Sequence, residues 1–166
     1  MDKNICYPLF MPNFLDSFEQ KFKSLHYNSC EIIRKTQPEK LFWQPLEKGA
    51  LFPINSCGEY ILRSAGKIEQ TFGGITTKLW DDPFEWTLPE QLSTNQLILE
   101  YLEEVETTRQ KAFTFFQSDE DLKKSLPAPV KIITLFELLL ETLALAENYQ
   151  GRAIAIFRLF SDEKPF

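Results

Sequence analysis

Apolar side chains return at helical spacing in four separate stretches of this chain, and helix-breaking residues divide those stretches. Phe14, Phe18, Phe22 and Leu25 recur at intervals of four, four and three, which puts them on one helical face. The spacing predicts a first helix over about 13–37, stopped by Pro38, whose ring removes a donor and restricts the residue before it. A second helix, about 55–72, carries Ile54, Cys57, Ile61, Ala65, Ile68 and Phe72 on its stripe. Ser56 and Glu59 form the capping-box pattern at its start, and Gly73-Gly74 is expected to end it in a left-handed turn. A third, about 93–117, presents Leu97, Tyr101 and Val105, with Ala112 and Phe116 less regular. The fourth, about 130–160, is the most apolar: Leu138, Leu145, Tyr149 and Ile156 lie on one side, and Phe136, Leu143 and Ile154 on the other. A helix apolar on two faces needs a second cover in a bundle of four, so a homodimer contact is expected there.

With no competing strand pattern, the four helices predict an all-α chain, an antiparallel four-helix bundle folded as one domain over 1–166. That length closes a core without a metal or disulfide staple, and the abundant phenylalanines are expected to fill it. The connection between helices two and three (75–92) is long and holds Trp80, Asp81, Asp82, Pro83, Phe84, Trp86 and Pro89. Loops beyond about 12 to 15 residues are often functional, so this one reads as a lid or pocket wall. It also leaves room for a crossover in place of a simple up-down order.

Charge and cysteine content exclude several functions. A net charge of −6 and a pI near 4.9 repel phosphate backbones, and no stretch interleaves clustered Lys and Arg with aromatics, so nucleic acid is not an expected partner. Cys6, Cys30 and Cys57 are odd in number with no Cys-x-x-Cys pair, which predicts free, buried thiols. Cys57 also has a sharper reading, a reactive thiolate favoured by the dipole at a helix start. The first residues lack the pattern of a secretory signal, and Glu interrupts every long apolar run, so a cytoplasmic chain with no membrane span is expected.

Several strings, in order, resemble the DinB/YfiT-like superfamily over about residues 14–160. Trp43-Gln44-Pro45 is similar to its Trp-x-Pro element. The run from Ser56 through Gly58-Glu59 and Arg63 to Ala65 is similar to its Ser-(Ile/Val)-Gly-Glu-x-Leu-Leu-His-x-Ala string. Ser118 to Leu122 resembles its acidic connector, and Leu145 to Arg152 lines up with His-x-x-x-His-x-Gly-Gln. The resemblance implies a divalent metal held by one histidine on helix two and an i, i+4 pair on the last helix. It also implies metal-dependent thiol transfer, isomerisation or hydrolysis.

At those three positions this chain has Arg63, Leu145 and Tyr149, which form no metal site. The expectation is therefore a DinB-like bundle without cofactor that binds a mostly apolar small molecule or acts by interaction. The alternative is a metal enzyme using non-standard ligands. Tyr60, Trp80, Trp86 and Glu141 are the candidate pocket wall, with Tyr149 beside them. Arg63 is expected to fill the vacated space and pair with Glu141 or the Tyr149 hydroxyl, although on a helical wheel it falls with Glu59, Lys67 and Gln70. The lone His26 reads as a surface or capping residue, Glu137 and Glu141 as a solvated i, i+4 pair, and Asp81-Asp82 as a turn.

Overall fold

The computed structural model describes residues 13–45, 54–81 and 90–166. Four helices carry the structure: α1 (Phe14–Lys35), α2 (Cys57–Thr77), α3 (Asn95–Phe113) and α4 (Leu135–Phe157). Asn13 caps α1 by accepting from Asp16 N–H at 2.7 Å. The carboxylate of Asp119, from the connector after α3, accepts from the Phe14 and Leu15 N–H groups at 2.9 and 3.0 Å. Part of the acidic connector thus serves as a tertiary cap for a helix about a hundred residues earlier. The capping box at Ser56 forms as its spacing implies, with Ser56 N–H donating to Glu59 at 2.7 Å and Glu59 N–H to the Ser56 hydroxyl at 3.2 Å.

Two features depart from the sequence reading. Helix α2 does not stop at Gly73-Gly74; it runs to Thr77 and ends where Lys78 adopts φ 61°. Gly74 is needed for packing, because a Cβ there would lie 2.4 Å from Cε3 of Trp80. Helix four does not begin near Val130. A short antiparallel hairpin, β1 (Ser125–Pro127) with β2 (Ile132–Thr134), precedes it and sets Leu126 opposite Ile133. Prolines 127 and 129 bar a helix, and the β-branched run Ile132-Ile133-Thr134 suits extended backbone. Thr134 then caps α4 by accepting from Glu137 N–H at 3.2 Å.

Helix α2 packs most extensively against α4 and next against α3, while α1 lies against α3 and α4 and barely meets α2. The direction of each pair follows from named contacts. Ser64 and Thr71 of α2 meet Ala146 and Thr142 of α4, so that pair is antiparallel. His26 meets Glu103 and Arg109 approaches Glu19, so α1 and α3 are antiparallel too. Tyr101 meets Glu69 and Phe113 meets Phe72, which makes α2 and α3 parallel. Phe18 meets Phe136 and Ser29 meets Gln150, which makes α1 and α4 parallel. The order is up-down-down-up. The chain therefore takes the crossover that the long connection left open, in place of a simple up-down order.

Phe22, Phe72 and Phe113 meet edge-on or tilted at the core, with ring centroids 5.0 to 6.4 Å apart. Gln150 is buried, and its amide donates to the Leu25 carbonyl and the Ser29 hydroxyl, both at 2.8 Å. The second face of α4 is covered by its own chain only in part, and Phe136 remains exposed. Leu143 and Ile154 pack against the core, and Phe136 sits edge-on to Phe14 and Phe18 at 6.0 and 5.7 Å. Among the described residues no helix is long and apolar enough to cross a membrane.

Candidate functional site

The α2–α4 seam carries the positions at which the resemblance would place metal ligands. The Tyr60 ring stacks on Tyr149 with centroids 6.4 Å apart, and the Ser64 hydroxyl donates to the Ala146 carbonyl at 2.9 Å. Position 63 therefore lies between two contacts that lead to 146 and 149. Arg63 is half-buried there, and Leu145 is exposed. Glu141 accepts from Lys131 at 3.3 Å, and the same ammonium reaches Glu137 at 2.6 Å, so the i, i+4 carboxylates share a lysine on an exposed face.

Of the expected wall residues, Tyr60 and Trp80 stand apart. Trp80 packs on Gly74, fourteen residues along α2 from Tyr60 and so about 21 Å away along the axis. Trp86, like Asp82, lies outside the described residues. Leu79 and Asp81 line a different space, a cleft of about 260 Å³ between the C-terminal half of α2 and α3. Its wall includes Glu69, Gln70, Thr76, Asp81, Thr108 and Lys111. The Tyr101 hydroxyl donates to Glu69, and burial, reinforced by that carboxylate, raises the phenol and keeps it protonated. Carboxylates, hydroxyls and one ammonium share the cleft wall with apolar surface, which makes up the larger part of it.

A second constellation lies on the α1–α3 seam. His26 Nε2 is 3.5 Å from Glu103 Oε1, and the Cys30 sulfur is 3.8 Å from the same nitrogen. The three side chains can bring a nitrogen, a sulfur and an oxygen within 4.8 Å of one another. His26 is half-buried, which corrects the surface reading, and Cys30 is buried, with burial pushing its thiol up to about 11. One turn further along α3, Arg109 grips Glu106 through two bonds of 2.7 Å, and both side chains are withdrawn from solvent.

Cys57 is fully buried beside the Thr36 hydroxyl, and burial pushes its thiol up to about 12. A reactive thiolate at this helix start is thereby overturned: desolvation of the sulfur outweighs the favourable dipole.

The i, i+4 pair His26–Cys30 is visible in the sequence; its third member is not, because Glu103 reaches it only through the antiparallel pairing of α1 with α3. No protein-family model, curated protein or solved structure matches the chain.

Proposed function

We propose that this chain is a DinB-like bundle, acting in the cytoplasm, whose metal site at positions 63, 145 and 149 has been replaced and which binds a small polar molecule in the α2–α3 cleft. The observation that carries the binding reading is an open cleft in which carboxylates and an ammonium stand beside a larger share of apolar wall. The ordered strings support the DinB-like reading, as do the Tyr60–Tyr149 and Ser64–Ala146 contacts, which bring the stretch of α2 around position 63 alongside 146–149 of α4. The free buried thiols of Cys30 and Cys57 suit a reducing compartment.

The lining favours a zwitterion, with an acidic group toward Lys111 and a basic group toward Glu69 and Asp81. A thermal-shift screen of small amino-acid-like compounds tests this. We expect at least one to raise the melting temperature and to bind about tenfold more weakly to Lys111→Ala, a loss of about 1.4 kcal/mol. Binding untouched by both Lys111→Ala and Glu69→Gln would move the ligand elsewhere on the molecule.

The proposal includes a homodimer built over Phe14, Phe136 and Leu140, three exposed apolar side chains next to one another at the α1–α4 edge. Sedimentation equilibrium should find a dimer in the wild type and a monomer in Leu140→Glu. A wild type that stays monomeric at micromolar concentration removes the dimer.

A further inference from the structure

We propose that His26, Cys30 and Glu103 form a binding site for a zinc-class divalent ion on the α1–α3 seam, distinct from positions 63, 145 and 149. Imidazole nitrogen, thiolate sulfur and carboxylate oxygen are the three donor types that zinc takes from proteins, whereas calcium and magnesium prefer oxygen alone.

Zinc bonds of about 2.3 Å to sulfur and about 2.0 to 2.1 Å to nitrogen or oxygen set tetrahedral edges of about 3.3 to 3.6 Å. The His26–Glu103 separation of 3.5 Å falls within that range, and the His26–Cys30 separation of 3.8 Å exceeds it by a few tenths of an ångström. The i, i+4 relation holds the first two donors on one face of α1, and the third comes from a facing antiparallel helix.

Burial is graded in the direction that entry requires. The Cys30 sulfur lies inside, the His26 side chain is 21% exposed, and Glu103 is 62% exposed and free to close over an arriving ion. Binding converts the Cys30 thiol to a thiolate bound to the ion and releases its proton to solvent. Three protein donors leave one tetrahedral position for water.

The test uses the full chain without an affinity tag, kept reduced, loaded with Zn2+ and in parallel with Co2+, and then desalted. About one equivalent should remain, the melting temperature should rise, and the Co2+ form should show a thiolate-to-metal charge-transfer band. The band should vanish in Cys30→Ser. Glu103→Gln, an exposed change that leaves the core untouched, should weaken Zn2+ binding by about tenfold or more. Less than about a tenth of an equivalent retained by the wild type would overturn the site. So would a bound ion whose affinity and spectrum are indifferent to Cys30→Ser and Glu103→Gln, because those donors would then belong to another place on the chain.

Discussion

Replacing Arg109 by methionine should lower the stability of the protein by about 3 to 5 kcal/mol, because it strands a buried carboxylate. The Arg109 side chain is 3% exposed and that of Glu106 is 8% exposed, and the guanidinium engages both carboxylate oxygens. Without it, Glu106 keeps only the Gln110 amide at 2.8 Å. The cost comes from the unpaired charge, so the double variant Glu106→Leu/Arg109→Met should recover most of the loss. Urea unfolding of the two single variants and the double variant gives the coupling directly. A single Arg109→Met variant within about 1 kcal/mol of wild type would mean that water reaches the pair and that it is not sealed in the core.

The same pair fixes a pH dependence. Burial alone would raise the Glu106 carboxyl, but the bonds from Arg109 and Gln110 outweigh it and hold the group below its ordinary value of 4.5. A depressed folded-state pKa contributes stability that is fully present above the unfolded value and is lost as pH falls through the folded one. Wild-type stability should therefore decline below about pH 4.5. In Arg109→Met the burial effect is no longer outweighed by the guanidinium and is opposed mainly by the Gln110 amide, so that variant should lose less stability than wild type as the medium is acidified.

What the sequence made legible was local. The Phe14-Phe18-Phe22-Leu25 spacing and the Ser56–Glu59 box are set by residues a turn or two apart, and both form, with Phe18, Phe22 and Leu25 buried and Phe14 left exposed at the helix start. The glycine pair at 73 and 74 misled because glycine serves equally to end a helix and to admit a close neighbour. Only the Trp80 ring, brought back by the following loop, decides between them. The hairpin before α4 was hidden in a proline-flanked stretch whose apolar residues also continue a helical period. Helix direction was underdetermined because a long loop permits a crossover without requiring one.

The site was legible to the same depth. His26 and Cys30 could be paired from spacing alone, yet Glu103 belongs with them only through the α1–α3 packing. Cys57 shows the opposite failure: its helix-start position is written in the sequence, while the burial that silences it comes from the loop and helix around it. Tyr60 and Trp80 were joined as aromatic neighbours of one pocket, and the length of α2 separates them.

The central claim is that positions 63, 145 and 149 stand where a DinB-like bundle holds its metal, and it can be tested by putting the ligands back. In a Cys30→Ser background, which removes the thiolate donor on α1, Arg63→His, Leu145→His and Tyr149→His are combined. Metal content is then measured after loading with Ni2+ or Zn2+ and desalting. An i, i+4 histidine pair on α4 facing a third histidine on α2 should retain about one equivalent, while the background retains less than about a tenth. If the triple variant melts cooperatively yet holds no more metal than its background, the three positions do not converge and the DinB-like reading of this chain is wrong.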